Sequence, residues 1–497
     1  MTSSPHAKNR APRTGIAAAA AAGLLLAACG GGSSEPRPSV LLLTLDTTRA
    51  DYLSCYGSTR SKTPALDGLA QSGALFENAV AASAVTPVAH ASILTGRFAP
   101  GHGLRVLAGG GGDRLPAEVP SLARAFGEAG WATGAVHSAF PVSRRFGLDQ
   151  GFQHFDSFDG KARIDETGKT TWDVQNLQRR SDETVDRTLA WVAEQDDPFF
   201  LWVHLWDPHD PTLVPPDEFV AGVPQNEQGA YHPIRLYARE VEYLDLQIGR
   251  LLEGLRAAAG EPGLVVAVTS DHGEGLDDGM VRHGWGAHRM LYREQVHVPL
   301  ILAGPGVPQS TRVSAQVRTV DLAPTLAELV GLPFGGTLDG HSLSPMWSGT
   351  DAADRVAYAD QVNGYDGNAS MVRRRPDAAF QFVWIEQPWK LYWRPHQPGA
   401  SELFHLGEDP IESQNRLLDE KEVARRLLTD LAALEPWVTE PYSPPADIDD
   451  AAGALGALGY GGGDDAAAEY PWERVPISEA LGLEPREGDP LVPIVRR

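Results

Sequence analysis

Leu264-Val265-Val266-Ala267-Val268-Thr269-Ser270-Asp271-His272-Gly273-Glu274-Gly275 sets an unbroken apolar run directly before a carboxylate and an imidazole. A run without polar alternation reads as a strand covered on both faces, because a half-exposed strand alternates. The pattern recurs along the chain. Residues 40–45 run straight into Asp46, residues 199–205 lead to Asp207-Pro208-His209, residues 298–302 make a further run, and residues 132–136 make a weaker one. Helical periods lie between them. Val241, Leu244, Ile248, Leu251 and Leu255 form one apolar stripe, and Val185, Leu189 and Val192 form another behind Ser181, a residue type that caps helix N-termini. The alternation predicts an α/β fold, a mostly parallel sheet flanked by helices. Loops beyond the carboxyl ends of such strands converge on the ligand site. Strands that deliver Asp46, Asp207 with His209, and Asp271 with His272 to that edge predict a metal site.

The 497-residue chain has 42 Lys+Arg against 65 Asp+Glu, a formal charge of -23. So acidic a chain repels phosphate backbones, which argues against nucleic-acid binding. With 42% hydrophobic and 22% charged residues, its composition is that of a folded protein. Lys8, Arg10 and Arg13 precede an apolar or small-residue run over 16–26, which ends in Leu26-Ala27-Ala28-Cys29. The run is too short to span a bilayer and reads as a signal peptide over residues 1–28. It is similar to the bacterial lipoprotein signal, in which cleavage precedes a cysteine that then carries lipid. That similarity implies an exported lipoprotein, periplasmic or cell-surface, anchored to the membrane through lipid on Cys29. Residues 29–38, rich in Gly, Ser and Pro, would be its tether. Cys29 and Cys55 are the only cysteines, so lipid on Cys29 leaves no intrachain disulfide.

Ser83-Ala84-Val85-Thr86-Pro87-Val88-Ala89-His90-Ala91-Ser92-Ile93-Leu94-Thr95-Gly96 carries the candidate nucleophile. The pattern predicts a short helix with Thr86 as N-cap, Pro87 as first helical residue and Gly96 as stop. The Thr86 hydroxyl then sits at the positive end of a helix, where free N–H groups attract an anion. His90, four residues on, projects from the same face. On this stretch alone, a plain helix cap and a nucleophile both remain open readings of Thr86.

Leu43-Thr44-Leu45-Asp46-Thr47-Thr48-Arg49-Ala50-Asp51, then Thr63-Pro64-Ala65-Leu66-Asp67, then residues 85–96 resemble the opening of the sulfatase family of the alkaline phosphatase superfamily. Arg145-Phe146-Gly147-Leu148-Asp149-Gln150-Gly151-Phe152, Asp207-Pro208-His209-Asp210-Pro211, residues 269–275, Val320-Asp321-Leu322-Ala323-Pro324-Thr325-Leu326 and Leu403-Phe404-His405-Leu406 follow in the family's order. The resemblance covers about residues 39–461. It implies a catalytic domain over 39–350 and a small C-terminal antiparallel-sheet subdomain over 351–440, with strands near 379–385 and 390–394 and a helix at 421–434. Residues 441–497 read as a largely irregular tail, poorly packed over 462–497. By the same resemblance, Asp46, Asp271 and His272 hold one divalent cation that also contacts Thr86. His209 faces the leaving group, and His283 or His288 reaches the anion. Such a cation neutralises the ester and deprotonates the nucleophile. Aspartates suit Ca²⁺ or Mg²⁺, and the imidazole tilts the choice towards Mn²⁺ or Zn²⁺. Asp207, His209 and one later histidine make a partial set for a second metal.

The departures from the family bear on mechanism. Sulfatases proper carry Cys or Ser, any residue, Pro, any residue, Arg, and oxidise the first to formylglycine; this chain reads Thr86-Pro87-Val88-Ala89-His90. Threonine cannot become that aldehyde, His90 replaces the arginine, and Thr47 replaces the second aspartate of the N-terminal pair. No lysine lies between Lys169 and Lys390, so the family's anion-binding lysines are missing. A hydrated aldehyde releases sulfate by elimination, and a threonine sulfate has no such exit. In this superfamily threonine nucleophiles go with phosphate and phosphonate esters. The expected activity is metal-dependent hydrolysis of a sulfate, phosphate or phosphonate ester on a small or glycan anionic substrate. One alternative is a phospho-group transferase acting on envelope glycans or lipids. Another is a non-catalytic lipoprotein that binds an anionic glycan; retention of Asp46, Thr86, His209, Asp271 and His272 together argues against it.

Overall fold

The computed structural model describes residues 37–105, 114–158, 163–164, 170–171, 177–196, 198–260, 262–276, 278, 290–362, 380–437 and 472–495. The signal segment, Cys29, His283 and His288 lie outside the described residues. Eight strands form the central sheet: β1 (Ser39–Leu45), β2 (Gly73–Val80), β3 (Ala132–His137), β4 (His154–Asp156), β5 (Phe199–Leu205), β6 (Leu264–Thr269), β7 (His297–Ala303) and β8 (Thr311–Arg318). Their order is β8-β2-β7-β6-β1-β5-β3-β4. All five apolar runs are strands. β1 is parallel to both its neighbours, β5 and β6. β7 is the exception, antiparallel to β2 and β6. The chain leaves β6 and enters β7 at the same sheet edge, without the return crossover that a parallel partner requires.

Residue parity on β1 splits the core in two. Val40 and Leu42 pack with Ile93, Phe126, Phe200 and Trp202 beneath α2 (Thr86–Thr95) and α3 (Leu122–Glu128). Leu41, Leu43 and Leu45 pack on the other face, against α4 (Ser181–Val192) and α5 (Pro233–Ala259). The α5 stripe Val241, Leu244, Ile248, Leu251 and Leu255 is buried there as its period predicts. Thr44 continues the even set, so its side chain lies on the α2 face, where it meets His90 of that helix.

A second sheet, antiparallel throughout, comprises β9 (Ala357–Gln361), β10 (Gln381–Glu386), β11 (Trp389–Trp393) and β12 (Glu402–His405). Ala424, Leu427, Leu428 and Leu431 of α6 (Lys421–Ala433) seal its core. This sheet touches the loop before α2: the Ser83 hydroxyl donates to Asp360 O (2.8 Å). The expectation of a poorly packed tail is corrected over residues 472–495. There β13 (Trp472–Pro476) and β14 (Leu491–Val495) pair, with α7 (Ile477–Leu481) between them. Ile477 and Val492 enter the same core as Leu428, and Arg425 clamps Asp489 at 2.8 Å. No described helix is long and apolar enough to cross a membrane.

Candidate active site

Thr44 of β1 is in register with Thr269 of β6, so Asp46 and Asp271 leave the sheet side by side, two residues later. Asp46, Asp271 and His272 are fully buried, and one ligand atom from each lies within 4.8 Å of the others. The protein holds one oxygen of each carboxylate. Asp271 Oδ1 accepts from the amides of Thr47 (3.2 Å) and His272 (2.8 Å). Asp46 Oδ2 accepts from His204 Nε2 (2.9 Å). The other oxygens, Asp46 Oδ1 and Asp271 Oδ2, are buried with no donor among the described residues. Burial, then the neighbouring Asp271, push the Asp46 carboxyl well above the usual carboxylate range. Two buried carboxylates, each with a donor-less oxygen, are costly unless a cation joins them. Two carboxylate oxygens and an imidazole nitrogen are a donor set that fits a divalent cation.

The His272 tautomer follows from its partners. Nδ1 lies 3.0 Å from Gly273 O, which only accepts, so Nδ1 carries the proton and Nε2 keeps its lone pair. Thr86 Oγ1, 3.2 Å away, donates to that nitrogen. Asp271 Oδ2 lies 3.4 Å from it. Gly273 has to be glycine: its amide donates to Gln295 O (2.9 Å), and a Cβ would collide with the Glu294 carbonyl.

α2 begins on Thr86, with Val85 as the N-cap, and ends at Gly96 in the left-handed region (φ 67°). The expected capping role of Thr86 is therefore corrected. Its hydroxyl reaches across to His272. His90 sits behind Thr86. Its Nδ1 donates to Thr86 O (2.7 Å), and its Nε2 accepts from Thr44 Oγ1 (3.0 Å), which in turn accepts from Trp202 Nε1 (3.0 Å). Burial lowers the His90 pKa although Asp271 Oδ2 is 3.7 Å away. Both ring nitrogens are thus committed inside the protein, and His90 braces the carbonyl of the candidate nucleophile.

His209 closes a tight turn after β5 and stacks on Trp206, ring centroids 3.6 Å apart. Asp207 serves α4. Its carboxylate accepts the Ser181 amide (3.0 Å) and hydroxyl (3.0 Å), and burial pushes its pKa up to about 6. Ser181 is accordingly the first helical residue, and Asp207 does the capping assigned to Ser181 from sequence. Among the described residues, the Asp46–Asp271–His272 group is the one that brings three such ligands together.

Sequence reasoning missed His204, Thr44, Trp202 and Tyr237. His204 carried a signal: an imidazole inside an apolar run needs a buried partner. Thr47 adopts φ 49°, a strained value for a β-branched residue of the kind that gathers at functional sites. The Tyr237 hydroxyl pins that turn, donating to Thr47 O (2.7 Å) and accepting from Arg49 N (2.9 Å).

A family model described as Sulfatase matches residues 38–332, and one described as N-sulphoglucosamine sulphohydrolase, C-terminal, matches residues 281–435. The chain belongs to the sulfatase family, and with it to the ester hydrolases. It is similar to a Delta 4,5-hexuronate-2-O-sulfatase of Bacteroides thetaiotaomicron, 24% identical over 82% of this chain and 90% of the relative. An ulvan-active sulfatase of Formosa agariphila is 25% identical over 78% of each. Among solved structures, the phosphonate monoester hydrolase of Agrobacterium radiobacter shares the fold, with a TM-score of 0.63 and 21% identity over 80% of this chain and 95% of that one.

Proposed function

We propose that this chain hydrolyses an anionic ester with Thr86, unmodified, as nucleophile, and that phosphorus esters are turned over faster than sulfate esters. One observation carries the reading: the Thr86 hydroxyl lies 3.2 Å from the unprotonated His272 Nε2, beside two buried carboxylates, where a cation taking that lone pair would also meet the hydroxyl oxygen. A divalent cation held by Asp46, Asp271 and His272 would supply charge neutralisation and a lowered hydroxyl pKa. Thr86 attacks the central sulfur or phosphorus, the leaving-group oxygen departs, and water then cleaves the Thr86 ester to restore the hydroxyl. The N-terminus of α2 favours the anion. His90 keeps the Thr86 backbone in place, and His209 serves the leaving-group side. The glycan names of the relatives support an anionic glycan ester as substrate. Nitrophenyl sulfate, phosphate, phosphodiester and phosphonate, assayed across Ca²⁺, Mg²⁺, Mn²⁺ and Zn²⁺, test the substrate order. A phosphorus ester should give the highest kcat/KM; a higher value for the aryl sulfate overturns the order.

We also propose that lipid on Cys29 anchors the mature protein to a membrane, on the strength of the basic segment, the apolar run and Leu26-Ala27-Ala28-Cys29. Cys29→Ser should move the protein from the detergent phase to the aqueous phase. Unchanged partitioning would sink the anchor.

A further inference from the structure

We propose that His204 is a positioning residue for the cation site: it holds Asp46 Oδ2 and so leaves Oδ1 for the cation. This rests on the reading of Asp46 as a metal ligand. β5 controls both ends of that residue. The Asp46 amide donates to Leu205 O (2.8 Å), which extends the β1–β5 ladder past the end of β1. The tip of the side chain is then held by His204 Nε2 at 2.9 Å. The register is what makes this reach possible, because His204 pairs with Thr44, two residues before Asp46, on the same face.

The arrangement is one-sided. A carboxylate can only accept, so Nε2 is the protonated nitrogen, and Nδ1 is left buried with no donor among the described residues. The rings of His90, His137 and Trp206 surround His204 at centroid distances of 5.1, 6.2 and 5.9 Å. An apolar side chain would fill this space without leaving a nitrogen unpartnered, so packing gives no reason for histidine here. Orienting a carboxylate does. Partners that orient ligands from behind typically contribute 10–100-fold to metal affinity.

The experiment measures dissociation constants for Ca²⁺, Mg²⁺ and Mn²⁺ by calorimetry on the full chain. Wild type is compared with His204→Phe, His204→Asn and His204→Gln. Gln places an N–H near the native Nε2, whereas Asn places it near Nδ1 and Phe removes it. Affinity should fall about 10–100-fold in Phe and Asn and return in large part in Gln. Saturating cation should bring kcat in Phe and Asn back towards wild type. If the Phe variant does not fold, the Asn–Gln comparison decides alone. Wild-type affinity in a folded Phe or Asn variant overturns the proposal. So does a Gln variant that binds as poorly as Asp271→Asn, since His204 would then be a ligand. A wild-type protein that binds none of these cations overturns this proposal together with the metal reading.

Discussion

Thr86→Ala should cost about three to five orders of magnitude in kcat while leaving cation affinity within a few-fold of wild type. The Thr86 hydroxyl links α2 to His272 Nε2 at 3.2 Å. The cation's carboxylates are held from elsewhere, by Thr47 N, His272 N and His204. Removing the hydroxyl therefore removes the attacking atom and little of the donor set. Four decades correspond to about 5 kcal/mol of transition-state stabilisation. Thr86→Ser keeps the oxygen and should retain a good part of the rate; what it loses is the γ-methyl that restricts the rotamer in a wholly buried helix. Near-native turnover in Thr86→Ala would remove Thr86 from the chemistry.

Asp271→Asn is the second large expected effect. Oδ1 of Asp271 accepts two amide N–H groups, so the asparagine carbonyl has to take that place. The side-chain NH₂ then stands where Oδ2 was and has no lone pair for a cation. Activity should fall to background, and the stabilisation that cation confers should vanish. In wild type, cation at a hundred times its dissociation constant adds about 2.7 kcal/mol by mass action. The cation-free proteins should show the opposite order. Asp46 and Asp271 repel each other in a buried site, so removing one charge should leave the variant as stable as the cation-free wild type or more so. Melting curves with and without cation check both halves. A retained cation-dependent rise in Tm would contradict the ligand assignment.

Much of this was legible in the chain because a buried parallel strand cannot alternate. The runs at 40–45, 199–205 and 264–268 declare themselves, and so do the acids and histidines placed after them. β8 hid because it lies at the sheet edge and mixes polar and apolar residues, and β2 because Glu77-Asn78 breaks its run where the register with β7 shifts. The hairpin over 472–495 hid behind the Gly-, Asp- and Ala-rich stretch before it. Thr86 was placed one position out because Thr-Pro suits both the cap and the first turn; backbone geometry separates them, sequence does not. His204 needed the β1–β5 register, which no local pattern encodes. The residual roles of His90 and Asp207 were equally non-local, since each is decided by a partner tens of residues away.

The most direct measurement of the central claim is rapid acid quench of the metal-loaded enzyme during turnover of nitrophenyl phenylphosphonate, followed by peptide mass spectrometry. The account expects a phosphonyl group on the peptide spanning Thr86, at Thr86 Oγ1. It also expects the same peptide from resting enzyme to carry an unoxidised threonine. Turnover with no adduct at position 86, or with the adduct on another residue, would contradict it.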